Sequence, residues 1–241
     1  MQRKPSSIEG GFLAFIPSKK TVGYQEVAVP AGSSMRTATF KAMSGDYKIA
    51  DIKVSGVFDG IGDEYGQKIN ADGTWGDTYY YLLADGGMAE EDGWYKDPTG
   101  GERVTDDDVL EVGQAVIFSS SADLVFTYAG QVIANKATVN IPAGSSIVGN
   151  PTPIAAKIKL IEVEGTFDGI GDEYGQKINA DGTWGDTYYY LLADGGMAEE
   201  DGWYKDPTGG ERVADDDVIE PGDAMIFSSS AELVLNFPTV L

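Results

Sequence analysis

The chain has 241 residues, with 39 Asp and Glu against 17 Lys and Arg, a formal net charge of −22, and no cysteine or histidine. These counts exclude disulfides, a thiol nucleophile, an imidazole base and serine-histidine-acid catalytic triads. They also argue against nucleic acid as a partner, because phosphate contacts require clustered Lys and Arg side chains.

The chain begins with an arm, residues 1–19, whose apolar run at 11–16 is β-prone. The run is too short for the core of a signal peptide. No apolar stretch of the chain approaches the ~20 residues that a membrane-spanning helix requires. We therefore expect no membrane span and no export signal in this sequence.

Strand and turn signals follow the arm in close succession. Residues 52–58 and 124–128 alternate apolar with small or polar side chains, and residues 78–83 are apolar on both faces. Asp-Gly pairs at Asp72 and Asp85 are typical of tight turns. No segment shows sustained helical periodicity, so we predict an all-β protein.

An internal repeat organises the chain beyond the arm. Residues 56–104 recur as residues 165–213, an offset of 109, with one difference over 49 positions. Self-similarity at a fixed offset indicates tandem structural modules. We predict two homologous β-sandwich or small β-barrel modules, residues 20–130 and 131–241, each near the usual size of such domains.

Each copy of the repeat is acidic, since residues 56–111 and 165–220 each hold 15 acidic and 3 basic residues. Many of these carboxylates lie in glycine-punctuated loops, and calcium binds hard oxygen ligands in flexible loops. The alternative is that the acidic side chains cap turns and solvate the surface. The candidate calcium ligands are Asp59, Asp63, Glu64, Asp72, Asp77, Asp168, Asp172, Glu173, Asp181 and Asp186.

Aromatic side chains among these polar residues suggest carbohydrate binding, because sugar faces stack on exposed aromatic rings. The alternative is that the aromatics fill the core of a β-module and place their polar tips at its edge. The candidate ligand-binding residues are Trp75, Trp94, Tyr95, Trp184, Trp203 and Tyr204.

Apolar segments at both ends of the chain suggest self-assembly, in which a terminal strand adds to the sheet edge of a neighbouring molecule. The alternative is that these segments complete a sheet of their own module. The candidate assembly residues are Phe12, Leu13, Phe15, Ile16, Phe237, Val240 and Leu241.

Several turn and strand motifs occur in a recognisable order, namely residues 22–24 (Val-Gly-Tyr), 30–32 (Pro-Ala-Gly), 72–80, 93–95 (Gly-Trp-Tyr) and 220–223 (Glu-Pro-Gly-Asp). The pattern resembles tandem β-domain repeats of secreted or surface proteins of bacteria, a group without an assigned enzymatic activity. The resemblance implies an extracellular or cell-surface location.

We therefore predict a non-enzymatic extracellular structural protein, a self-assembling subunit of a fibre, sheath or surface layer. The alternative is a carbohydrate-binding or adhesive module, either dependent on calcium or independent of it. Catalysis is not expected, because the carboxylates are so numerous that no general-acid and nucleophile pair stands out.

Overall fold

The structure is a computed structural model that describes residues 22–38, 46–70, 72–132, 136–179 and 182–238. Within these residues all paired strands are antiparallel, which confirms the predicted all-β class. No helix in this part of the chain is long and apolar enough to cross a membrane. The described helices are four single 3-10 turns, at Ile49–Asp51, Ala84–Gly86, Ile158–Leu160 and Ala193–Gly195.

The N-terminal half, which we define as the described residues from 22 to 132, forms three sheets. A three-stranded sheet has the order β1-β10-β4, a five-stranded sheet has the order β2-β9-β5-β6-β7, and β3 pairs with β8. The strands are β1 (Val22–Val29), β2 (Gly32–Thr37), β3 (Tyr47–Lys48), β4 (Lys53–Gly56), β5 (Tyr65–Ile69), β6 (Trp75–Leu82), β7 (Gly93–Tyr95), β8 (Val109–Leu110), β9 (Ala115–Ser120) and β10 (Leu124–Gln131).

The C-terminal half, the described residues from 136 to 238, repeats this topology with the sheets β11-β20-β14, β12-β19-β15-β16-β17 and β13-β18. No described sheet combines strands of both halves, while the module boundaries themselves stay a prediction. The strands are β11 (Ala137–Ile141), β12 (Gly144–Gly149), β13 (Ala156–Lys157), β14 (Glu162–Gly165), β15 (Tyr174–Ile178), β16 (Trp184–Leu191), β17 (Gly202–Tyr204), β18 (Val218–Ile219), β19 (Ala224–Ser229) and β20 (Leu233–Phe237).

The core of the N-terminal half lies between its three-stranded and five-stranded sheets. Phe126 of β10 meets Phe118 of β9 edge to face, with ring centroids 4.4 Å apart, and Trp94 of β7 contacts both rings. All three side chains are buried. These aromatic contacts therefore join the two sheets, and such edge-to-face pairs add to the stabilisation from buried area.

The core of the C-terminal half lies between the corresponding sheets, with Leu235 in the place of Phe126, and it includes the end of the last strand. Phe237 of β20 is fully buried and is paired with Ala137 of β11. The prediction that Phe237 makes contacts between molecules is therefore wrong, because its side chain completes the core of its own half. The other candidate assembly residues, Phe12, Leu13, Phe15, Ile16, Val240 and Leu241, lie outside the described residues.

The two halves face each other through a third apolar cluster, which lies outside both cores. It joins β2, β5 and β9 of the N-terminal half to β15 and β19 of the C-terminal half. Its buried members are Met35, Ile69, Ala115, Ile178 and Ala224.

Backbone hydrogen bonds cross between the halves in both directions. The Thr37 amide donates to the Gly222 carbonyl over 3.1 Å, and the Gly149 amide donates to the Gly113 carbonyl over 2.9 Å. In the repeat, Thr37 corresponds to Gly149 and Gly113 corresponds to Gly222. The two bonds are therefore images of each other, and an approximate two-fold axis relates the halves.

Candidate functional site

A groove of about 350 Å³ opens where the two halves meet. This volume is at the lower end of the ~300–1,000 Å³ usual for small-ligand sites. Both halves contribute equivalent apolar side chains to the lining, which are Met35, Ile69 and Ile117 and their repeat counterparts Ile147, Ile178 and Ile226. The groove is therefore a feature of the pair and not of either half alone.

Trp75 and Trp184 also line the groove, and they are the most prominent side chains there. Each side chain is 62% exposed, although tryptophan is usually well buried. Each is the first residue of its strand, β6 or β16, and is paired with Ile69 or Ile178 on the neighbouring strand. The same hairpin therefore supplies both an exposed indole and a buried isoleucine to the groove.

The hairpin that carries Trp75 has a tight turn. The Asn70 amide donates to the Thr74 carbonyl over 2.9 Å, and Asp72 Oδ1 accepts bonds from the Thr74 amide and hydroxyl at 3.0 and 2.6 Å. The hydroxyl bond is the main reason that the pKa of Asp72 lies below its ordinary value. Asp72 thus closes the turn, as the alternative to metal binding predicts.

The tip of each hairpin turn touches the opposite half of the molecule. Gly73 has φ +77°, and a β-carbon built there would lie 2.7 Å from the Ser145 carbonyl oxygen. Gly182 stands in the same relation to Ser33, also at 2.7 Å. Both the backbone conformation and the lack of space therefore require glycine, and these close approaches fix the two tryptophans relative to each other.

In the part of the chain that the structure describes, one ion pair spans the two halves, and it has no symmetric counterpart. Arg36 Nη1 on β2 lies 3.4 Å from Asp223 Oδ1 in the turn before β19. Burial raises the pKa of Asp223 despite this contact, and burial lowers the pKa of Arg36. In the repeat, Arg36 corresponds to Val148 and Asp223 corresponds to Gln114. Neither counterpart is charged, so the ion pair forms on one side of the two-fold axis.

The aromatic residues of strands β7 and β17 do not form a binding surface. Trp94 and Trp203 are each 3% exposed, and their indole nitrogens donate to the carbonyls of Ile52 and Ile161. The neighbouring rings, Tyr95 and Tyr204, are also buried. The prediction that these four residues bind a ligand is therefore wrong, because their faces are packed in the cores.

Two acidic clusters lie in the segments between β4 and β5 and between β14 and β15. The first cluster consists of Asp59, Asp63 and Glu64. Each residue contributes one carboxylate oxygen, and the three oxygens lie within 4.8 Å of one another. Asp59 and Asp63 are exposed, whereas Glu64 is 2% exposed. The second cluster consists of Asp168, Asp172 and Glu173 in the same arrangement.

The buried glutamate of each cluster has only one oxygen in a hydrogen bond. Glu64 Oε1 accepts from the Ser121 hydroxyl at 2.7 Å, while Glu64 Oε2 is buried without a hydrogen-bond partner. Burial raises the pKa of Glu64, the Ser121 bond opposes this, and the nearby Asp63 carboxylate raises it further. Glu173 repeats the pattern, with Ser230 as its donor.

The remaining candidate calcium ligands do not join these clusters. Among the described acidic residues, the six named above are the ones whose carboxylate oxygens lie close enough together to share a metal ion. Asp77 on β6 accepts a long bond from the Tyr79 hydroxyl, at 3.5 Å, and Asp186 is its counterpart on β16. Asp72 closes its turn, and Asp181 lies outside the described residues. Of the ten candidate calcium ligands, the structure thus brings six together in two clusters, and Asp72, Asp77 and Asp186 lie outside those clusters.

Sequence reasoning missed two sets of participating residues. The isoleucines of the groove were not singled out, although β9 carries apolar residues on both faces at Val116, Ile117 and Phe118. That pattern was a usable signal for a second apolar contact. The second set is Ser121 and Ser230, whose spacing in the sequence does not indicate a bond to a glutamate 57 residues away.

Comparison of the chain with protein-family models, with curated proteins and with solved structures found no match in any of the three. The resemblance to tandem β-domain repeats of bacterial surface proteins therefore stays a prediction.

Proposed function

We propose that this is a non-catalytic carbohydrate-binding protein and that the groove between its halves, flanked by Trp75 and Trp184, holds a short neutral glycan. The observation that carries the proposal is the pairing of two tryptophans, each 62% exposed, on one apolar groove. A sugar ring that stacks on an indole removes apolar surface of both partners from water, which is favourable at ~25 cal/mol per Å².

The chemistry of the lining supports a neutral ligand. None of the described residues that line the groove carries a titratable side chain, and the only side-chain hydroxyls among them are those of Ser33 and Ser34. With no Lys or Arg in this described lining and a net charge of −22, an anionic glycan would be repelled. The same lining supports a non-catalytic role, because glycoside hydrolysis requires a pair of carboxyl groups at the scissile bond.

The proposal is tested by screening the full chain against neutral glycans and measuring the affinity of each hit by calorimetry. Trp75→Ala and Trp184→Ala should each weaken binding about tenfold or more, which corresponds to ~1.4 kcal/mol. Tyr24→Ala is the matched control, since Tyr24 is an exposed aromatic residue of β1 that does not line the groove. Binding that both tryptophan variants retain would refute the proposal.

A second function, self-assembly, is favoured by strand β1. Among the described strands β1 pairs only with β10, so it is an eight-residue edge strand, and its Val22 and Tyr24 side chains are 63% and 73% exposed. A long edge strand with exposed apolar residues favours strand addition by another chain. Electron microscopy of the purified protein tests this role: we expect filaments that deletion of residues 1–18 abolishes, and a monomer at high concentration would contradict it.

For either function we propose an extracellular or cell-surface location, as the sequence resemblance implies. Fractionation of the producing cells tests this location, and recovery of the protein only from the cytoplasm would contradict it.

A further inference from the structure

We infer that each half of the protein holds one calcium ion, bound by Asp59, Asp63 and Glu64 in the N-terminal half and by Asp168, Asp172 and Glu173 in the C-terminal half. This inference goes beyond the proposed glycan binding and does not depend on it.

The decisive observation is the buried glutamate of each cluster. Glu64 is 2% exposed, and its Oε2 atom has no hydrogen-bond partner. A buried polar atom without a partner is costly, and the cost is larger for a charged group. The carboxylate oxygens of Asp59 and Asp63 within 4.8 Å make the cost larger, since like charges repel. A cation among the three carboxylates removes both penalties.

Among the described residues, no basic side chain neutralises these carboxylates. The described ion pairs of the two repeats involve other carboxylates, such as Glu91 with Arg103 and Asp108 with Lys96. None of the described ion pairs involves the six clustered residues. The Ser121 hydroxyl occupies only Glu64 Oε1. The clusters are therefore concentrations of negative charge to which the rest of the described chain supplies no positive partner.

The ligand chemistry favours calcium over other cations. All candidate ligands are carboxylate oxygens, which hard cations prefer, and the absence of histidine and cysteine removes the ligands that zinc and copper favour. Two of the three carboxylates are exposed and lie in a segment with Gly60 and Gly62 at positive φ. Such a loop adapts to the six to eight oxygens of calcium, with water completing the shell, more readily than to the strict octahedron of magnesium.

Each cluster and the groove lie at opposite ends of the same strand, β5 or β15. Glu64 immediately precedes β5, whereas Ile69, at the far end of that strand, lines the groove. A strand of five residues is ~17 Å long. Loss of calcium binding and loss of glycan binding are therefore separable results.

The test is calcium titration of the full chain by calorimetry after treatment with a chelator, together with its thermal unfolding. We expect one ion per cluster, hence two per chain, with a dissociation constant of roughly 10⁻⁵–10⁻³ M, and a melting temperature that rises as calcium is added. Asp63→Asn should remove one of the two ions, and Asp63→Asn with Asp172→Asn should remove both. Both aspartates are exposed, so neither change empties a core.

Glu90→Gln with Glu199→Gln is the matched control, because these exposed carboxylates change the net charge equally but lie outside the clusters. This control should bind two ions as the unchanged chain does. A loss of binding equal to that of the aspartate double variant would assign the effect to bulk charge and overturn the inference. It would also be overturned by the absence of saturable binding at about 10 mM calcium, or by an equal response to magnesium.

Discussion

The ion pair between Arg36 and Asp223 gives the most direct test of how the two halves are held together. The Arg36 side chain is 2% exposed and the Asp223 side chain 15% exposed, and the charged atoms are 3.4 Å apart. The repeat supplies its own neutral replacement, since the counterparts of these residues are Val148 and Gln114. Three variants therefore follow: Arg36→Val, Asp223→Gln and the double variant.

The structure sets the expected magnitudes. Removing one partner of a fully buried pair typically costs ~3–5 kcal/mol, because the other charge is left in an apolar environment. The cost here should be lower, about 2 kcal/mol for each single variant. After Asp223→Gln, Arg36 keeps its bonds to the carbonyls of Ala28 and Met35, and after Arg36→Val, Asp223 is partly solvated and lies 4.0 Å from Lys177. The double variant should lose only about 1 kcal/mol, because removing both partners leaves neither charge buried without its counter-ion.

The assay is urea unfolding followed by tryptophan fluorescence, with the free energy of unfolding extrapolated to water. The four chains form a double-mutant cycle, in which we expect a coupling of about 3 kcal/mol between the two positions. The reasoning is refuted if the losses of the single variants add up to the loss of the double variant. Single losses below ~0.5 kcal/mol, which are typical of exposed surface pairs, would refute it equally.

Three further changes test other parts of the structure. Trp94→Ala should lower the free energy of unfolding by ~3–5 kcal/mol in urea titrations, because it empties the centre of one core, and Trp94→Phe should lower it less. Gly149→Ala should lower the free energy of unfolding by ~1–3 kcal/mol through overpacking, since the new β-carbon would lie 2.3 Å from Thr37 Cβ. Adding Thr37→Gly to this variant should recover most of its thermal stability. The Thr99 hydroxyl, followed by the backbone amides of Gly101 and Glu102, lowers the pKa of Asp97 to about 2. This stabilisation should be present above pH ~4 and disappear as the pH falls towards 2, which NMR titration of the carboxyl group checks; an Asp97 pKa near 3.8 would contradict it.

The parts of the fold that could be predicted depend on local signals. The strand predicted at residues 78–83 is found as β6, Trp75–Leu82, three residues longer at its start because the turn closes between Asn70 and Thr74. Asp-Gly pairs and alternating side chains act over a few residues, so they report strands and turns directly. They do not report which sheet will cover a given face.

The functional assignment of the tryptophans shows the same limit. Trp75 and Trp94 lie in similar surroundings in the sequence, each beside glycine and acidic residues. In the structure Trp94 meets Phe126 on the opposite sheet, whereas Trp75 lies at the start of its strand beside the other half. The difference arises from contacts between distant segments, so the sequence alone could not separate the exposed tryptophan from the buried one.

The burial of Glu64 has an equally distant origin. The acidic loop is visible in the sequence, but its Glu64 side chain is covered where the chain leaves β9 at Ser121. A carboxylate in an exposed loop needs no counter-ion, whereas a buried one does. The property that distinguishes a cation site from a solvated loop was therefore set by tertiary structure.

The approximate two-fold axis explains where the repeats are identical and where they differ. Residues 56–104 contribute Ile69, Gly73 and Trp75 to one wall of the groove, and they differ from residues 165–213, which supply the opposite wall, at one of 49 positions. Near the axis, equivalent positions meet each other and compete for one space. Thr37 meets its own counterpart, Gly149, at a distance where two β-carbons cannot fit, so one of the two positions must lack a side chain. The packing of the interface therefore requires that β2 and β12 differ at this position. The near-identity of residues 56–104 and 165–213, in contrast, is compatible with two equivalent walls of a single groove.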